Sequence, residues 1–348
     1  MFHCLKAGFT GEMINIYKMS PSKHSLMKFE NSITSSKHFK IDSFDFSLLF
    51  KKIKIKTLMQ LYAAILLERK VIIVTNNVCI NAVIIEILLT LLYPMKWDLL
   101  LVANVTMKTS AFIDAPFPYI IGTSQQAWAE IYPYKWEGLP EDVFVVDIET
   151  NKIQIKEPLP PLPPTFSGVL ESTLEQHLAK QKLFKRSSYT SEEIEEFWIK
   201  TSMNIKQEFL YFLIFLMNDF VECFKNCNNK DPNAPSLSCI EDIFKYEKYL
   251  KNIHKSSDFS PEFTSRFIHT QLFTQMIEHY YTPSSHNNSS GDILANQNND
   301  KRMAYFKKLL KEFEKGGLRG LRNMQKSEIN IVLDDYLHPN DISIEQAY

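Results

Sequence analysis

Between Ile55 and Val146 apolar helical stretches alternate with short β-branched runs, and that order admits few folds. Leu58, Leu61, Tyr62, Ile65 and Leu66 recur at helical spacing, which predicts a helix over Thr57–Glu68 packed against a sheet. Val71-Ile72-Ile73-Val74 is continuous rather than alternating, as suits a strand covered on both faces. Asn76-Asn77 opens a second helix running to about Leu92 and closed by Pro94, because a proline pushes the residue before it out of the helical region. Leu99–Val102 reads as a second buried strand, Phe117–Ile121 as a third and Asp142–Ile148 as a fourth. Glu149-Thr150-Asn151 then turns the chain toward Ile153–Ile155. The expected core is α/β, a mostly parallel sheet with flanking helices.

The pattern stops at Pro158-Leu159-Pro160-Pro161-Leu162-Pro163-Pro164. Prolines at that density fix φ and favour extended polyproline II, a stiff spacer between parts of a chain. The run also fits an SH3 ligand, with Lys156 as basic flank. Beyond it the periodicity is helical over Thr173–Phe184, Ser191–Phe224, Ile240–Leu250 and Pro261–Tyr281, an all-helical C-terminal region. Phe209, Phe212, Leu213, Phe215 and Leu216 form a thick apolar stripe of core character. Cys227–Ser238 is loop-like by its Asn, Asp and Pro content, and 283–300 is polar. Arg302–Lys315 reads as a basic amphipathic helix before Gly316-Gly317 and an acidic tail; a solvated basic face is the plainer expectation, docking on a membrane or partner the sharper one. The organisation expected is therefore 1–45 as a short N-terminal remnant or linker, 46–157 as the α/β core, and 158–166 as the Pro-rich linker. The helical region follows at 167–282, a polar linker at 283–300, and the basic helix with its tail at 301–348.

What is missing narrows the function. The turn after Val74 is Thr75-Asn76-Asn77, so neither a P-loop nor a dinucleotide-binding glycine run follows the first strand. A nucleophile elbow is absent as well. Only 9 glycines stand among 348 residues, which disfavours loops that wrap phosphates with backbone. Five cysteines (Cys4, Cys79, Cys223, Cys227, Cys239) are odd in number and mostly sit in apolar segments, which predicts free thiols in a reducing compartment. Cys79 is expected inside a buried helix, and Cys223 and Cys227 on one face of another. Without a second Cys/His pair nearby, no metal site and no cofactor are expected. A net charge of −1 gives no pull toward nucleic acid. Met1–Phe9 lacks a signal-peptide pattern, and Val71–Tyr93 is interrupted by Glu86 and Asn76-Asn77, so a cytoplasmic or peripheral protein is expected.

Four pieces carry a family resemblance. Leu66-Leu67-Glu68-Arg69-Lys70-Val71-Ile72-Ile73 leads a helix into a strand, and Tyr93-Pro94-Met95-Lys96-Trp97 makes a Tyr-Pro-x-x-Trp turn. Asp114-Ala115-Pro116-Phe117-Pro118-Tyr119-Ile120-Ile121-Gly122 gives an Ala-Pro-x-Pro-(Phe/Tyr)-x-x-Gly block, and Asp142–Asp147 closes the core. In that order they resemble the DENN domain, a family of exchange factors for Rab GTPases. Phe267–Phe273 resembles the family's helical C-terminal part, so the likeness runs from about Phe46 to Tyr281. Where the family carries a longin-like lobe, this chain has residues 1–45, so that lobe is expected to be short or missing. Where the family often reads Ile-Pro-x-Leu-Pro, the chain has Val102-Ala103-Asn104-Val105-Thr106.

The resemblance implies a Rab-family small GTPase as partner, in its nucleotide-free or GDP form, peripheral association with endomembranes, and a role in vesicle traffic. No side-chain chemistry is implied. Asn76, Asn77, Asp114, Pro116, Pro118, Tyr119 and Asp142, all at predicted strand ends, are the expected GTPase-binding residues. The alternative is a DENN-like scaffold that binds a GTPase without driving exchange. A third reading, an α/β enzyme, rests on Asp114 and Asp142 as an acid–base pair. Tyr93, Pro94 and Trp97 are expected to be structural, Arg69 to lie at a solvated helix end, and Pro116 and Pro118 to bar their run from a central strand.

Overall fold

The computed structural model describes residues 49–50, 52–184, 191–224, 243–256, 259–281, 306–317 and 319–323. Expectations for 1–45, for Cys4, Cys227 and Cys239, for the loop to Ser238, for 283–300 and for the acidic tail lie outside these residues. The first half runs α1 (Ile55–Leu66), β1 (Lys70–Thr75), α2 (Val78–Thr90), β2 (Leu100–Val105), a 3-10 helix (Met107–Asp114), β3 (Tyr119–Ser124), α3 (Gln125–Lys135), β4 (Val143–Asp147) and β5 (Lys152–Ile155). The strands form one sheet in the order β2-β3-β1-β4-β5, parallel except for the β4–β5 hairpin.

The continuous apolar runs follow from two cores. Val71, Ile73, Ile120, Phe144 and Val146 face a main core shared with α1, α2 and the helical half. Their alternates Ile72, Val74, Tyr119, Ile121, Val143 and Val145 face a smaller core with Ile113, Trp128 and Ile131. β1, β3 and β4 thus bury both of their faces, and neither face needs polar residues. Asn77 starts α2 as expected, its side chain accepting a hydrogen bond from the Cys79 amide at 2.9 Å. Asn151, at φ +56° in the hairpin turn, donates to the Lys52 carbonyl and accepts from the Lys54 amide, fastening the turn to the start of α1.

Several expectations are corrected. β2 is an edge strand, half-buried over Leu100–Val102 and exposed at Ala103 and Asn104, with a register shift before Val105. Pro116 and Pro118 stop just short of β3, so the strand they introduce is internal, between β2 and β1. α3 has no counterpart in the sequence reading: Pro133 interrupts its pattern, and only Trp128 and Ile131 are buried. Its start is fixed by Ser124, whose hydroxyl accepts from the Ala127 amide. Cys79 is exposed, on the first turn of α2.

The second half comprises α4 (Pro164–Phe184), α5 (Ser191–Leu216), a short 3-10 turn (Val221–Cys223), α6 (Tyr246–Ser256), α7 (Pro261–Phe267) and α8 (Gln271–Tyr281). Residues 158–163 have no regular structure, and α4 begins on Pro164, where a missing amide hydrogen costs nothing. Leu162 is buried and Phe166 stacks on Phe212 at 4.1 Å between ring centres, so the proline run lies against the core at its C-terminal end. Lys156 donates to the carbonyls of Leu139 and Glu137 and stands over the Trp136 ring. α5 ends at Leu216, before Cys223, which is buried in the turn beyond it rather than on a long helix. Burial pushes the Cys223 thiol up to about 11, so it stays protonated.

α6 starts six residues later than the pattern suggested, and Phe244 ahead of it bridges to Phe224 instead. Phe220 sits amid Phe224, Phe244, Tyr249, Phe273 and Tyr280, with centroid distances of 5.1–6.5 Å. The single helix expected over Pro261–Tyr281 is two, α7 and α8. The Thr270 hydroxyl donates to the Phe267 carbonyl and accepts from the Phe273 amide, ending one helix and starting the next. Residues 306–317 are helical and bury Phe306, Leu309 and Leu310 in the main core, so the apolar side of the basic helix is occupied by the protein itself. No helix of the described residues is long and apolar enough to cross a membrane.

Candidate functional site

Parallel strands separate the expected site residues into two groups. β1 and β3 point the same way, so Asn76 and Asn77, after β1, lie at one end of the sheet. Asp114, Pro116, Pro118 and Tyr119, leading into β3, lie at the other, with Asp142 just before β4. Six-residue strands hold the two groups about 17 Å apart.

At the first end Asn76 and Asn77 are exposed, and the Asn77 side chain is already engaged as the cap of α2. At the second end Tyr119 is the anchor. Its ring is fully buried, and its hydroxyl donates to the Ile113 carbonyl at 3.1 Å, tying β3 to the end of the 3-10 helix. Burial first, then the nearby carboxylates of Asp142 and Asp114, drive its ionisation far above the usual tyrosine range. Tyr119 therefore holds the loop in place and offers little surface. Asp114 is exposed and paired with Lys135 of α3; Asp142 is half-exposed, 3.9 Å from the Lys70 ammonium. Both flank Tyr119. A shallow groove of about 290 Å³ lies at the opposite end, lined by Val74, Gln125, Trp128, Tyr132, Asp147 and Gln154, and neither Asp114 nor Asp142 belongs to it. The acid–base pair that an enzyme reading required is not housed in a pocket with both carboxylates.

Between the two ends runs a feature the sequence reading passed over. The 3-10 helix returns the chain from the end of β2 to the start of β3, and exposes Met107, Phe112 and, in the loop beyond, Phe117 at 44–47% of their surface. Val78, beside Asn76-Asn77, is exposed too. Large apolar side chains turned to solvent in one connected segment make it a candidate interaction surface. Pro116 and Pro118 on either side of Phe117 restrict its backbone, so the ring is presented with little conformational freedom to lose. The signal was available as Met107 and Phe112 in a segment without helical or strand periodicity, with Phe117 at the start of the run read as the third strand. Only the fold tells which of them face solvent.

Arg69 is buried rather than solvated. It pairs with Glu157 at 2.6 Å, and Glu157 also takes Arg266 of α7 at 2.6 Å. The neighbouring Glu68, at φ +49°, accepts from the Gln271 and Leu272 amides at 2.8 and 2.7 Å and so caps α8 from the far half of the chain. These residues join sheet to helices and are not free to reach a partner's phosphates. Trp97 is buried and Tyr93 packs against the main core, both structural parts.

Comparison with known proteins agrees with the motifs. The model of the DENN (AEX-3) domain matches residues 10–151, beginning well before Phe46. DENN domain-containing protein 1B of Homo sapiens is 24% identical over 229 residues, 66% of this chain and 25% of that protein. DENN domain-containing protein 2C of Mus musculus is 25% identical over 245 residues, 69% of this chain and 24% of its own length. The DENN domain and WD repeat-containing protein SCD1 of Arabidopsis thaliana is 27% identical over 127 residues, 36% of this chain and 10% of its own. The chain thus spans about a quarter or less of the length of these relatives. Motifs, sheet and matched span concur on a likeness to the DENN (AEX-3) domain, whose model matches residues 10–151.

Proposed function

We propose that this chain binds a Rab-family small GTPase and speeds release of its nucleotide, working in the cytoplasm and at the surface of endomembranes in vesicle traffic. The DENN match supports the partner class, and the exposed Met107–Phe117 segment supports the surface. An exchange factor needs no catalytic side chain. It binds the nucleotide-free GTPase better than the loaded form and so holds the switch segments away from the phosphates and Mg²⁺. Accelerating release by 10⁴ requires roughly 5.5 kcal/mol of such differential binding. That calls for a stiff surface, since a loose one yields to the GTPase instead of deforming it. Tyr119, held by Ile113 and preceded by Pro118, supplies stiffness; Met107, Phe112 and Phe117 supply apolar area, with Asp114 and Asp142 at one rim and Asn76, Asn77 and Val78 at the other.

Phe112→Asp and Phe117→Asp test the surface, because both positions are exposed and tolerate charge. Each is expected to weaken capture of nucleotide-free Rab by about 30-fold, the loss of an interface anchor worth about 2 kcal/mol. Pull-down or interferometry on folded variants reads this directly. Capture unchanged by both substitutions would move the surface elsewhere. Capture that persists in the wild type without any faster nucleotide release would favour a scaffold over an exchange factor.

A further inference from the structure

The helical residues 306–317 and 319–323 carry six Lys and Arg against two Glu, in a chain whose formal net charge is −1. Packing fixes how that charge is displayed. Phe306, Leu309 and Leu310, with Leu321 beyond, are 0–3% exposed in the main core. At about 100° per residue, Lys308, Lys311 and Lys315 fall within about 60° of one another on the opposite side of the helix. All three are exposed, Lys315 with 72% of its side chain in solvent and bridged to Glu312, and Arg319 is exposed in the helical piece beyond Gly317. Lys307 donates to the Tyr280 carbonyl and lies over its ring, and Arg322 pairs with Glu208 and lies over Tyr211.

We propose that this ridge is a docking surface for an anionic lipid bilayer, with Lys308, Lys311, Lys315 and Arg319 meeting the phosphate-bearing headgroups. Charge complementarity selects the occupant: long, flexible ammonium side chains exposed along one helix face suit a fluid plane of anionic headgroups. Because the helix has already spent its apolar face on the protein core, binding is electrostatic and superficial, without insertion of hydrophobic side chains, and it falls with salt. This inference stands independently of any action on a GTPase.

The test is co-sedimentation of the full chain with phosphatidylcholine vesicles, with and without phosphatidylserine, at low and high salt. The expected result is retention only on the phosphatidylserine vesicles and release by salt. Each lysine contributes roughly fivefold, so Lys308→Gln, Lys311→Gln and Lys315→Gln together lower the affinity on the order of 100-fold. The corresponding triple Arg variant restores it, and an unchanged melting curve shows that the Gln variant is folded. Equal retention on neutral vesicles, full retention of the Gln variant, or no vesicle binding alongside binding to RNA would each overturn the proposal.

Discussion

Gly122→Ala is expected to destabilise the protein by at least about 3 kcal/mol, the upper range for inserting atoms into a packed core. A Cβ at Gly122 would lie 2.3 Å from the Ala103 carbonyl oxygen of β2 and 2.7 Å from the Asn81 Cβ of α2. Neither neighbour can yield cheaply. The Ala103 oxygen is backbone in the strand beside β3, and Asn81 is fully buried, its amide donating to the Thr123 carbonyl at 3.1 Å. Adding one methyl group therefore pushes β2 and α2 away from β3 together. The motif glycine is explained by this close approach rather than by any phosphate or partner. Urea unfolding of the variant measures the effect, and a loss below about 1 kcal/mol would show that β2 is free to shift.

Glu157→Gln is expected to cost about 2 kcal/mol at neutral pH and to change the acid profile of the fold. Removing one partner of a buried ion pair costs about 3–5 kcal/mol; the lower figure reflects the 37% exposure of the Glu157 side chain. The loss arises because Arg69, with 8% of its side chain exposed, keeps its charge with no carboxylate beside it. Hydrogen bonds from Arg266 and then Arg69 lower Glu157 from 4.5 to about 2. A carboxyl depressed by folding stabilises above its unfolded value, so this contribution is whole above about pH 4.5 and disappears as pH falls toward 2. Wild-type stability should therefore drop more steeply than that of the Gln variant across this window. Parallel slopes in urea titrations between pH 5 and about pH 2.5 would show that Glu157 does not stabilise the fold through its charge.

Much of the sheet could be read directly from the chain. Val71–Val74 is apolar without alternation because both faces of β1 are covered, and Asn77 and Pro261 mark helix starts through local chemistry. What stayed hidden depends on distant partners. The break between α7 and α8 is set partly by Glu68, some 203 residues away, and the burial of Arg69 depends on Glu157 and Arg266. α3 escaped notice because Pro133 and a thin buried face leave little periodicity. The expected site residues were chosen as strand ends, a criterion blind to strand direction. Parallel pairing then placed Asn76 and Asn77 opposite the Asp114–Tyr119 group, and only burial singled out Met107, Phe112 and Phe117 between them.

Release of fluorescent GDP from a panel of Rab GTPases, with and without this chain, tests the proposed exchange. Faster release from one or two members is expected, reduced by Phe112→Asp and Phe117→Asp. Release that stays at its intrinsic rate across the panel, with the chain folded, would contradict it.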